Sequence, residues 1–108
     1  MDQQRRHLAK SLRKIRAELE SLDLWETRSP PAAHLASTEP FCVDTLDFTQ
    51  WLQWVFIPKM HTLLDNNAAL PQQSSIHVLA EEALKDMEQD TAGLIDEIRT
   101  FDHLLSGE

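Results

Sequence analysis

The chain has 108 residues, enough for one hydrophobic core and too few for two, with a formal net charge of −8 and a single cysteine. Two glycines, no tyrosine and few β-branched runs disfavour a strand-rich fold and predict an all-α one, while one cysteine excludes an internal disulfide and points to a reducing compartment. The charge is uneven: residues 1–22 sum to +3 and residues 72–108 to −7. Complementary helices lying side by side would account for that, and so would a nucleic-acid footprint on the first helix.

Leu8, Leu12, Ile15, Leu19 and Leu22 recur four, three, four and three apart, which predicts a helix over 3–22 with one apolar stripe. Trp25 follows in the same rhythm and is expected to plug the end of the core. From Glu26 to Pro40 the period is lost and three prolines, Pro30, Pro31 and Pro40, mark a long loop. Leu35 and Phe41 are apolar enough to pin it as an ordered crossover.

The second helix is expected over 45–65, capped by Asp44 or Thr45. Its run Trp51, Leu52, Gln53, Trp54, Val55, Phe56, Ile57 is interrupted only by Gln53, so this helix needs neighbours on several sides. Pro58 cannot donate to the carbonyl of Trp54 and predicts a kink, and Asn66, Asn67 and Pro71 close the helix. Ser74 or Ser75 can cap a third helix over 75–87 that carries Ile76, Leu79, Ala80, Ala83, Leu84 and Met87. Leu94, Ile98, Phe101 and Leu105 form the stripe of a fourth over 91–105, ending at Ser106 and Gly107. A break between them is read at residues 88–93, against the alternative of one continuous helix. The whole chain, 1–108, is thus expected to be a single four-helix bundle.

No phosphate-cradling glycine loop, nucleophile elbow or zinc-ligand spacing is present, so no catalytic, cofactor-binding or metal-binding residues are assigned. His77 and Glu81, spaced i and i+4, are too small a match to claim a metal. Cys42 stands just before the second helix and is the candidate reactive thiol, against a buried small residue as the plainer reading. Trp54, Ile57 and His61 share one face of the second helix and form the candidate partner-binding surface, unless the long loop covers it. Arg6, Lys10 and Arg13 line one side of the first helix and are the candidate RNA-binding set. Neither a secretory signal nor a membrane span is read, and the default is a cytoplasmic protein.

The block Pro40-Phe41-Cys42-Val43-Asp44-Thr45, the run Trp51 to Met60 with its proline, Leu64-Asp65-Asn66, Leu70-Pro71 and Glu82-Ala83-Leu84 resemble the YqcC-like family of small bacterial proteins. The resemblance implies a four-helix bundle with no established activity and no catalytic residues to carry over. It also implies an accessory role beside a tRNA pseudouridine synthase of the C type. The expected function is therefore a non-catalytic interaction module with a protein partner, free to form homo-oligomers, with direct RNA binding through the first helix as the alternative.

Overall fold

The computed structural model describes residues 2–71 and 74–106. These form a four-helix bundle with no strand among them. We label the helices α1 (Asp2–Ser21), α2 (three consecutive segments, Phe48–Trp51, Leu52–Phe56 and Ile57–Asp65), α3 (Ile76–Leu84) and α4 (Ala92–Leu105). α1 packs along α4, α4 along α3, and the Ile57–Asp65 segment returns against α1.

The leucine stripe explains α1. Leu8, Leu12, Ile15 and Leu19 are completely buried, each stabilising the fold by roughly 1.5–3 kcal/mol through removal from water. Asp23, left-handed at φ 65°, ends the helix and turns the amide of Leu24 back to the carbonyl of Leu19 at 2.9 Å. Trp25 then lies partly buried against the core, under the guanidinium of Arg16 at 4.4 Å.

α2 starts at Phe48, later than the sequence suggests, because Asp47 caps it and closes a reciprocal box with Gln50. Asp44 and Thr45, expected as caps, are used to pin the crossover. Asp44 accepts the Ser37 hydroxyl at 2.6 Å, and Thr45 donates to the carbonyl of His34 at 2.7 Å. The crossover itself contains a helical turn, Ala32–Leu35, and a 3-10 turn, Pro40–Cys42.

The disturbance expected at Pro58 takes the form of a π segment just upstream. The amide of Ile57 bonds the carbonyl of Leu52, five residues back, and Pro58 then stands in the first turn of the next α segment, where its missing N–H is least felt. A left-handed Asn67 ends the helix as Asp23 ended the first, with the amide of Ala68 on the carbonyl of Leu63 at 2.9 Å.

α3 stops at Leu84, short of the expected Met87, and Ala83 faces solvent rather than the core. Neither Ser74 nor Ser75 caps it with a side chain: the Ser74 hydroxyl bonds Asp102 of α4, and the carboxylate of Asp102 accepts the amide of His77 in the first turn of α3 at 2.9 Å. Residues 85–91, polar except for Met87, which packs against the core, separate α3 from α4, and Leu94, Ile98, Phe101 and Leu105 complete the core. The expected stop at Gly107 lies outside the described residues.

Candidate functional site

The central helix has two different sides. On one, the chain emerging from α1 is latched to it by Glu26. The amide of Glu26 donates to Gln53 Oε1 at 2.8 Å, its carbonyl accepts from Gln53 Nε2 at 2.7 Å, and its carboxylate takes the indole N–H of Trp54 at 3.0 Å and Gln50 Nε2 at 3.2 Å. Gln53, the one polar residue in the apolar run, is only 5% exposed because both its amide atoms are occupied in this way.

This arrangement revises the expected Trp54 face. Ile57 is in the core at 6% exposure, Trp54 is half-buried with its polar edge committed to Glu26, and His61 is half-buried. The three do not form an exposed apolar face. From the connection after α1, Glu26 reaches this side through its bond to the Trp54 indole, while Phe41 lines the groove described next.

On the other side lies an apolar groove of about 440 Å³. Trp51, Val55, Phe56 and Met60 form its wall on α2, Phe41 stands at its rim, and Ile76 and Leu105 close the far side. The wall continues inward as a chain of aromatic contacts. Phe41 meets Trp51 edge-on at 4.9 Å between ring centroids, Trp51 stacks on Phe56 at 5.3 Å, and Phe56 meets Phe101 at 5.2 Å. Lys59 contributes the charged side chain on the lining.

The rim is held in an unusual backbone conformation. Phe41 and Cys42 are both left-handed, at φ 57° and 51°, which costs on the order of 1–2 kcal/mol for each side-chain-bearing residue. The Cys42 carbonyl accepts the amides of Thr45 and Leu46 at 3.0 and 2.8 Å, and these bonds hold the turn. Its outcome is that Phe41 stays 42% exposed above the groove while Cys42 points inward and is buried. Because α2 begins at Phe48, Cys42 is separated from that helix terminus by the turn 43–47, and the placement expected for a helix-activated thiol is not what the chain adopts. Nothing in sequence periodicity signals the groove; the two prolines flanking it, Pro40 and Pro71, are the nearest hint.

His77 and Glu81 face different partners. His77 Nδ1 lies 2.5 Å from Asp102 Oδ2, and Glu81 accepts from Arg99 at 3.0 Å. Among the described residues no three His, Cys, Asp or Glu side chains converge as metal ligands would. No helix among them is long and apolar enough to cross a membrane.

Arg6, Lys10 and Arg13 are all exposed on α1. Lys10 is joined by His7 and Lys14 along a notch of about 240 Å³, whose other wall is Glu97, Thr100 and Leu104 of α4. His7 and Lys14 were not in the expected set, although the i, i+3, i+7 spacing of His7, Lys10 and Lys14 was visible in the sequence.

Comparison with known proteins places this geometry among relatives. A family model, DUF446, described as "tRNA pseudouridine synthase C", matches residues 7–104. An uncharacterised protein of Haemophilus influenzae is 41% identical over 78 residues, covering 72% of this chain and 74% of its own length. The uncharacterised protein YqcC of Escherichia coli is 32% identical over 102 residues, covering 88% of this chain and 94% of its own. The solution NMR structure of that YqcC matches with a TM-score of 0.84 at 34% identity, over 95% of this chain and 88% of that one. A tRNA pseudouridine synthase C of Pectobacterium carotovorum is 45% identical over 62 residues, which are 57% of this chain but 16% of the synthase.

Proposed function

The chain belongs to the YqcC-like family, DUF446, matched over residues 7–104, and from that premise we propose that it is a non-catalytic, cytoplasmic interaction module serving a tRNA pseudouridine synthase. One observation carries the reading: 62 residues resembling this chain lie within a much longer protein bearing the name tRNA pseudouridine synthase C. A segment that is 16% of a synthase in one relative and 94% of the whole chain in another, YqcC, is suited to docking on the synthase where the two are separate chains.

The apolar groove beside α2 supports this reading and supplies the docking surface. It combines an aromatic wall, an exposed Phe41 and a neighbouring exposed Val43. Aromatic side chains around an open apolar groove are the favoured anchors of protein interfaces. Trp54 and Ile57 contribute indirectly, tying α2 to Glu26 and to the core while Trp51 and Val55 line the groove.

The test is a calorimetric titration of the purified chain into the purified pseudouridine synthase C of the same organism. A saturable complex is expected, and Val55→Glu, at a half-buried groove position, is expected to weaken it by at least about tenfold, as loss of an anchor of about 1.4 kcal/mol or more would. Far-UV circular dichroism establishes that the variant keeps its helices. Absence of any complex at concentrations of tens of micromolar would overturn the proposal.

A further inference from the structure

We propose that the notch side of α1 is a contact surface for the phosphodiester backbone of tRNA, made by His7, Lys10 and Lys14 with Arg6 and Arg13 beside them. The inference rests on the synthase reading above and deepens it: the module that docks on the enzyme also grips the enzyme's substrate class.

The uneven charge of the sequence allows two accounts, pairing within the bundle or cations held outward. The structure decides between them. α1 and the acidic α4 do lie side by side, yet hydrogen bonds rather than ion pairs join their polar side chains, Gln4 Nε2 donating to the carbonyl of Leu104 at 2.7 Å and the Ser11 hydroxyl to Glu97 at 3.1 Å. Among the described residues, no Lys or Arg of α1 pairs with a carboxylate of α4. The ion pair of α1 is local, Arg16 to Glu20 at 3.5 Å, and the α4 cation Arg99 is taken by Asp96 and Glu81. Arg5 is committed to the carbonyl of Ala68 at 2.7 Å.

Arg6, Lys10, Arg13 and Lys14 thus remain exposed and, among the described residues, without an ion-pair partner. A protein of net charge −8 keeps these cations on one side of one helix. Concentrating positive charge there gives a local field that attracts a polyanion in spite of the overall balance.

The geometry suits a strand rather than a single bound anion. At about 1.5 Å of rise per residue, His7 to Lys14 spans roughly 10 Å, on the order of two to three phosphates along one strand. Glu97 lies half-buried in the α4 wall of the notch, and its carboxylate opposes a phosphate sinking inward. The backbone therefore rides on the lysine tips, which makes the contact salt-dependent and indifferent to base sequence.

Fluorescence polarisation with an unmodified tRNA transcript and the chain alone tests this. Binding is expected with a dissociation constant of about 10⁻⁴–10⁻⁶ M, weakening by roughly 20-fold between about 50 and 200 mM salt, as three phosphate contacts require. Lys10→Glu combined with Lys14→Glu should weaken binding at least about tenfold and reduce the salt slope by about 1.4. Arg28→Glu with Lys85→Glu makes the same change of net charge at exposed positions outside both the notch and the groove and should leave that slope unchanged. Failure to bind tRNA, equal loss in both double variants, or equal affinity for polyglutamate would overturn the inference. The parallel titration with the synthase separates the two proposals. Synthase binding without tRNA binding removes only the inference; tRNA binding without synthase binding removes only the accessory role.

Discussion

Glu26 and Asp102 each tie an irregular connection to the bundle, and they do so at different depths. Glu26 is half-buried and works through its backbone as much as its carboxylate, fastening the exit of α1 to Gln50, Gln53 and Trp54. Asp102 is 2% exposed and works through its carboxylate, accepting from the Ser74 hydroxyl and the His77 amide, with His77 Nδ1 2.5 Å from the same carboxylate. In both places one acidic residue joins a core helix to an irregular segment, Glu26 from the connection after α1 and Asp102 from α4 itself. The difference is what happens when the hub is removed. Water can reach the Glu26 latch and replace part of what is lost, whereas the partners of Asp102 are left with little access to it.

The largest effect is therefore expected at Asp102. Asp102→Ala should lower the unfolding free energy by about 3 kcal/mol, because hydrogen bonds to a buried carboxylate are worth roughly 1.5–3 kcal/mol each and are not additive. Urea unfolding with an unchanged slope checks it. A loss below about 1 kcal/mol would mean that Ser74 and His77 find other partners, and the contrast between the hubs would disappear. At the shallower latch, Gln53→Ala removes both bonds to the Glu26 backbone and should cost about 1–2 kcal/mol. It should leave synthase affinity unchanged, since the groove lies on another side of α2. A matching loss of affinity would make the latch and the groove one cooperative unit.

How far the sequence reveals these features follows from the range of the interactions. The leucine stripe of α1 and that of α4 were readable because helical spacing alone puts Leu8 with Leu12 and Leu94 with Ile98 on one face, as their complete burial reflects. The all-α bundle and the disturbance at Pro58 were legible for the same local reason. Gln53 stands in the sequence as a mere interruption and nothing local marks Asp102 as buried, because their partners lie 27 and 25 residues away. Capping misled in the same way: Asp44 and Thr45 have the right chemistry for a cap, but the crossover uses it first. The groove depends on left-handed Phe41 and Cys42, a conformation that neither residue type announces.

The smallest effect, and the one whose sign is informative, belongs to Gly93 at the start of α4. It occupies the first turn with an ordinary helical backbone, so alanine should gain up to about 1 kcal/mol of helix propensity. A Cβ there would overlap Oε1 of Glu18, whose carboxylate rests against this turn from α1. The overlapping atom is the end of a flexible side chain, so the chain can turn away, giving up the attraction of an anion to a helix N-terminus, about 0.3–1 kcal/mol. The two terms nearly cancel, and Gly93→Ala is expected to change stability by no more than about 0.5 kcal/mol. A second measurement in a Glu18→Gln background separates them. If the carboxylate is the offset, Gly93→Ala should become clearly stabilising there, and the coupling of the double-mutant cycle reads the anion's contribution directly. Equal effects in both backgrounds would show that Glu18 contributes nothing at this turn, leaving the α1–α4 seam to its leucines.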